Sequence, residues 1–422
     1  MKTTDVTRTI EAVWRIESAR LIASLMRYVR DLGRAEELAQ DALVAALQEW
    51  PRSGIPDNPA AWLMTTARHR AIDQLRRAQR TPGIHARVSH ELEMEQEGSA
   101  TAFEQAADEE IGDELLRLIF MACHPLLSTE ARTALTLRVV AGLSTAEIAR
   151  AFLVAEPTIA QRIVRAKRTL REAEVPFELP RGAALAQRLS SVLEVIYLVF
   201  NEGYSATAGE EWMRPELCEE ALRLARILAG LAPQESEVLG LLALMELQAS
   251  RLRARTAADG TPLRLNEQQR GKWDPLLIGR GLEALARAES LGGVPGPYLL
   301  QAGIAACHAR ASDAADTDWT RIAALYAELA RLTQSPVVEL NRAVAVAMAE
   351  GPDAGLAITE RLEAEGRLAA YHLLPSVRAD LLERLGRFAE AHRQFERAAA
   401  LTRNARERAL LQARAQACAG KS

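Results

Sequence analysis

Apolar positions recur every three to four residues along nearly the whole chain, strand signals are scarce, and Ala and Leu abound, so the pattern predicts an all-α protein. The clearest local signal is LSTAEIARAFLVAEPTIAQRIVRAKRTLR at 143–171. Ser144 and Glu147 have capping-box spacing, which starts a helix at Thr145 and carries it through Phe152. Pro157 suits the first turn of a second helix, and Glu156 sits at the positive end of that helix dipole. On a helical wheel Ile159, Ile163, Ala166 and Leu170 share one side of this second helix, and Thr158, Gln161, Arg162, Arg165 and Thr169 share the other. The stretch reads as a helix-turn-helix with an inward apolar side and an outward polar one. Arg and Gln at the outward positions suit bidentate contacts to guanine and adenine edges, and Lys167, Arg168 and Arg171 flank them for phosphates. The same wheel also describes a solvated amphipathic helix pair.

Upstream, residues 10–77 read as three or four helices around a small core. Within 34–49, Glu37, Gln40, Asp41, Val44 and Gln48 fall on one face and Leu38, Ala42 and Ala45 on another. That polar face suits a basic partner helix or, equally, solvent. A proline-broken loop is predicted over 50–57, followed by Asn58 as N-cap and Pro59 at the first helical position. The next helix runs to about Arg77, with Met64, Ala67, Ala71 and Leu75 on one side and His69, Arg70, Asp73, Arg76 and Arg77 on the other. A basic stripe beside Trp50 and Trp62 suits a surface that grips a strand backbone and stacks on bases; buried indoles in a small bundle fit both tryptophans as well.

Charge sharpens this picture. The formal net charge of −4 conceals two basic islands around an acidic segment: six Arg against one Asp in 58–90, ten acidic and no basic residues in 91–114, and five bases against two acids in 156–172. Nucleic-acid binding follows local patches, so a mildly acidic chain is compatible with DNA. At 422 residues and 49% hydrophobic content the chain should form about three packed domains. Cys123, Cys218, Cys307 and Cys418 lie far apart, with no metal-ligand spacing, which predicts reduced structural thiols, no metal and no cofactor. No apolar leader or membrane-spanning run of ~18 residues is present, so no membrane partner and a cytoplasmic location are expected.

Taken in order, EELAQDAL at 36–43, PAAWLMTTARHRAIDQLRR at 59–77, an acidic linker and the helix-turn-helix at 143–171 resemble a bacterial RNA polymerase sigma factor of the extracytoplasmic-function class. The resemblance implies region 2 at 1–80, an acidic linker at 81–107 and region 4 at 108–175, with core RNA polymerase and promoter DNA as partners. It implies that Glu37, Gln40 and Asp41 dock on the polymerase, and that Trp50, Arg52, Arg68, His69, Arg70, Arg76 and Arg77 serve the melted minus-ten strand. It further implies that Thr158, Gln161, Arg162, Arg165 and Arg168 serve the minus-thirty-five duplex in the major groove. The acidic linker resembles a segment that threads the polymerase's RNA channels; a merely solubilising linker has the same composition.

Residues 176–422 exceed what such a minimal factor needs and read as tetratricopeptide-like helical repeats. LGRFAEAHRQFERAAAL at 385–401 carries that pattern, and Gly351 and Gly386 lie 35 residues apart, close to the repeat's about 34. Earlier helices are predicted at 183–200, 215–229, 235–250, 276–290 and 297–310. Stacked repeats offer a concave surface for a protein partner, or a plain scaffold. The polar stretch from Arg251 through NEQQRGKWD at 266–274 departs from the helix pattern. With FNEGYSA at 200–206 and SPVVELNRAVAVAMA at 335–349, it resembles the sigma-factor subfamily that carries a fused C-terminal repeat domain, although Glu267-Gln268-Gln269-Arg270 stands where that subfamily has Asp-Gln-Asp-Arg. Arg270, Trp273 and Asp274 are the candidate regulatory residues, making the extension an in-chain control; a buried Arg–Asp pair and Trp that anchor the loop are the alternative. Neither a placed nucleophile and base nor a phosphate-cradling loop is present, so catalysis is not expected. A repeat-containing transcription activator outside the polymerase remains the competing class, and the 36–77 module, which an activator does not need, separates the two.

Overall fold

Capping chemistry sets the helix boundaries in the computed structural model, which describes residues 3–79, 114–152, 154–180, 182–205, 213–257, 262–263, 265–402 and 404–421. Among these residues the secondary structure is α-helix and short 3-10 turns, with an isolated antiparallel bridge between Thr256 and Pro262. The protein is all-α. It divides into two units, Met1–Ile196 and Tyr197–Ser422, with the division falling inside one helix.

The first unit begins with α1 (Thr3–Val29), α2 (Leu32–Ser53) and α3 (Pro59–Gln79). Asp31 caps α2 by accepting from the Arg34 N–H at 2.9 Å, and Asn58 caps α3 by accepting from the Ala61 N–H at 3.0 Å. Leu21, Leu25, Leu38, Ala42, Leu63 and Ala67 close the core of this bundle. One boundary differs from the expectation: Trp50, Pro51, Arg52 and Ser53 form the last turn of α2 rather than a loop. A proline so near the end removes a single main-chain donor, and Gly54, at φ +91°, closes the helix by donating to the Trp50 carbonyl.

The second half of the unit holds α4 (described over 114–122), α5 (Thr129–Val139), α6 (Thr145–Ala151) and α7 (Glu156–Glu172). Gly142, at φ +72°, makes the left-handed turn from α5 to α6. The start of α8 (Ala183–Tyr204) packs here as well: buried Arg132 of α5 donates to Ser191 at 2.7 Å and pairs with Glu194 at 3.1 Å. The expected acidic linker at 81–107, with the residues around it, lies outside the described residues.

The second unit continues as helical hairpins: α9 (Pro215–Leu231), α10 (Ser236–Ala249), α11 (Pro275–Ser290), α12 (Pro297–Arg310), α13 (Trp319–Thr333), α14 (Pro336–Ala349), α15 (Pro352–Glu365), α16 (Leu373–Arg384), α17 (Phe388–Leu401) and α18 (Ala405–Ala419). Sequential helices pack on one another, and three apolar clusters run on without a break. Leu300, Ile322 and Leu329 lie in the first, Leu340, Leu362 and Leu374 in the second, and Ala391, Phe395 and Leu411 in the third. Gly351 and Gly386 occupy equivalent turns, between α14 and α15 and between α16 and α17, with φ of +112° and +74°. Two helices escaped the periodicity reading, α13 and α18.

Candidate nucleic-acid interface

The helix-turn-helix forms as its caps demand. Ser144 Oγ accepts from the Glu147 N–H at 3.1 Å, and Glu147 Oε2 accepts from the Ser144 N–H at 2.7 Å, which completes the capping box at the start of α6. Along α7 the buried residues are Ile159, Ile163, Ala166 and Leu170, the stripe predicted from the wheel. Thr158, Gln161, Arg165 and Arg168 are exposed on the other side, while Arg162 is half-buried and acts electrostatically on Glu130. Arg168 pairs with Glu172 at 3.1 Å in solvent, a contact that contributes about 0–1 kcal/mol and leaves the side chain available. Lys167 departs from the expected phosphate-facing position, because its ammonium is held by Glu36.

On α2 and α3 the expected residues separate by burial. Glu37 and Asp41 are exposed, and Gln40 is half-buried with its amide donating to Glu36 Oε1 at 2.8 Å. Arg52 and His69 are exposed, as a strand-gripping surface requires. Trp50 is 1% exposed and meets Trp62 edge-on at 5.4 Å, so its ring belongs to the core and cannot also stack on a base. Arg68 is half-buried. Arg70 is committed to α2, donating to the Asp41 carbonyl at 2.7 Å with the Asp41 carboxylate 3.8 Å away. The side chains of Arg76 and Arg77 lie outside the described residues.

A buried carboxylate that sequence reasoning passed over joins the two halves of this unit. Glu36 is 5% exposed, accepts from Arg138 Nε at 2.7 Å and pairs with Lys167. Beside it α2 and α7 enclose a cleft of about 460 Å³ whose walls include Glu37, Gln40, Lys167 and Arg168. The partners stand 102 and 131 residues from Glu36 in the chain, a separation no local pattern can signal.

Residues 15–81 match sigma-70 region 2, residues 117–170 match sigma-70 region 4, and residues 188–289 match a family of unknown function, DUF6596. The ECF RNA polymerase sigma factor SigL of Mycobacterium tuberculosis is 31% identical over 163 residues, which cover 38% of this chain and 86% of SigL. The chain belongs to the extracytoplasmic-function sigma factors. The probable RNA polymerase sigma-C factor of Mycobacterium bovis is 27% identical over 162 residues, 38% of this chain and 77% of that protein. An uncharacterised protein of Rhizobium meliloti (strain 1021) is 45% identical over 391 residues, 92% of this chain and 91% of that one, so its likeness extends into the C-terminal helices. No solved structure matches the chain.

Beyond its two sigma regions, this sigma factor holds the described parts of its polar stretch, 251–257 and 265–274, with cations stacked on rings. Arg255 is 6% exposed, lies 3.4 Å above the Tyr204 ring and donates to the Tyr204 carbonyl; burial lowers its pKa to about 10. Arg251 donates to the Tyr204 hydroxyl and to Gln248. Arg270 donates to the carbonyls of His308 and Ala311 and to Thr317 Oγ1. Asp274 does not pair with Arg270: its carboxylate caps α11, accepting from the N–H groups of Leu276 at 2.9 Å and Leu277 at 3.2 Å. Burial pushes the thiols of Cys123 and Cys218 up to about 11 and about 12, which keeps both protonated and chemically quiet. Among the described residues no cluster of His, Cys, Asp or Glu suits a metal, and no helix is long and apolar enough to cross a membrane.

Proposed function

We propose that this sigma factor binds core RNA polymerase through the exposed face of α2 and directs initiation at specific promoters, under the control of its own C-terminal helices. The observation that carries the reading is α7: a helix whose buried stripe anchors it in a helix-turn-helix while Thr158, Gln161, Arg165 and Arg168 stand free for a duplex, with Arg162 at their edge. Arg52, Arg68 and His69, together with Arg76 and Arg77, serve the melted minus-ten strand, Arg70 positions α3 on α2 through Asp41, and Glu37, Gln40 and Asp41 serve the polymerase. Glu37 and Gln40 share a cleft with Lys167 and Arg168, so α7 lies beside the face assigned to the polymerase. In-chain control by tetratricopeptide-like repeats is supported by the matched glycine turns at 351 and 386 and by the contacts that hold Arg251, Arg255 and Arg270.

Run-off transcription with core polymerase tests both levels. The full chain is expected to start transcripts at defined promoters, and a chain ending after Ile196 is expected to change their yield while keeping their start sites. A chain ending there retains Ser191 and Glu194, the partners of buried Arg132. Equal yields from the full chain, the shortened chain and a folded Trp273→Ala variant exclude control by the extension.

A further inference from the structure

Around Trp273 the second unit collects hydrogen-bond donors and positive charge with too few acceptors. Arg251 and Arg270 flank the Trp273 ring, their guanidinium carbons 5.5 and 4.7 Å from its centroid. Every hydrogen bond from these two guanidiniums among the described residues goes to a neutral acceptor: Tyr204, Gln248, two main-chain carbonyls or Thr317. Asp313 and Asp316 act on Arg270 only through space, and their carboxylates are already used by each other's main chain in a capping box. Trp273 is itself 6% exposed. Its indole Nε1–H, the Nε–H of Arg270 and Nδ1 of His308 are all buried without a partner. Native proteins satisfy about nine in ten buried polar groups, so two orphaned donors on adjacent side chains, the Trp273 indole N–H and the Arg270 Nε–H, mark a missing acceptor. Water offers acceptor lone pairs but no charge, and Asp313 and Asp316 act on Arg270 without hydrogen-bonding to it. The bidentate geometry of guanidinium matches an oxyanion. Both arginines are half-buried, so an ion can reach them from solvent.

We propose that Arg251, Arg270 and Trp273 form a binding site for a small oxyanion, a phosphate group or a carboxylate, in the C-terminal extension. The indole N–H supplies a neutral donor, the guanidiniums supply the charge, and His308 stays uncharged beside them. The site stands whether or not the extension controls transcription.

The test is a titration of the full-length chain with inorganic phosphate, and separately with acetate, at constant ionic strength against chloride. The readout is the Trp273 indole N–H resonance, assigned among the six tryptophans by its loss in Trp273→Phe. A saturable shift of that resonance, with a rise in the thermal midpoint, is expected for phosphate, for acetate or for both; the anion that saturates identifies the source. Trp273→Phe keeps a ring in the core and removes one donor, so it should raise about tenfold the anion concentration needed for a given rise in the midpoint. Arg251→Lys should retain binding better than Arg251→Gln. An indole resonance unmoved by either anion overturns the proposal, whether the cluster is then dry or holds water alone. Equal anion responses in wild type, Trp273→Phe and a folded Arg251→Gln overturn it too.

Discussion

Gln161 and Arg165 stand on a helix that the rest of the first unit already holds, so removing either side chain disturbs recognition without disturbing the fold. Arg165→Ala is expected to weaken binding to a duplex carrying the upstream promoter element by about 1–3 kcal/mol, as loss of a bidentate base contact does, with unchanged thermal stability. Fluorescence anisotropy checks this, and equal affinity for wild type and variant removes Arg165 from the reading set. Glu36 behaves oppositely. Glu36→Gln leaves Arg138 and Lys167 without their carboxylate in a buried position and should cost about 1–3 kcal/mol in urea unfolding; an unchanged midpoint means that the carboxylate contributes nothing net. A third residue reports on pH. Burial, reinforced by Arg251 and Arg270, lowers the His308 pKa from 6.5 to about 4, so the unfolded chain takes up this proton first on acidification. Stability associated with neutral His308 is therefore complete above about pH 6.5 and is lost as the pH falls towards 4, by about 3 kcal/mol at most. Thermal midpoints between pH 7.5 and 4.5 should fall less steeply in His308→Gln than in wild type.

At the scale of elements, local rules predicted well wherever a local cause acts. The capping box at Ser144 and Glu147, the N-cap Asn58 and the buried stripe of α7 all follow from spacings shorter than one or two helical turns. The boundary of α2 did not, because tertiary packing of Trp50 extends the helix through a proline that propensity alone would place outside it. The 35-residue interval between Gly351 and Gly386 proved structural, since each glycine turns one helix into the next with a left-handed φ. Gly386→Ala is accordingly expected to cost about 1–2 kcal/mol, measured by thermal or urea unfolding. A stabilised or neutral Gly386→Ala contradicts the strained turn.

At the scale of the whole molecule, the candidate site was legible in outline and illegible in its connections. The order of two helical modules and the alternation of basic and acidic segments were visible along the chain. The ion pairs from Glu36 to Arg138 and Lys167, the attachment of Arg70 to Asp41, and the stacking of Arg255 on Tyr204 were not, because each joins residues that only the tertiary fold brings together. For the same reason Trp50, placed with the bases by its neighbours in sequence, is placed in the core by its neighbours in space. The central claim is that the two modules act together as a promoter-directing subunit of RNA polymerase. The most direct measurement is transcription by purified core polymerase with the full-length chain on a bank of promoter fragments. Transcripts with defined start sites that depend on the chain and fall sharply with Arg165→Ala are predicted; a chain that neither binds core polymerase nor starts a transcript on any fragment contradicts the account.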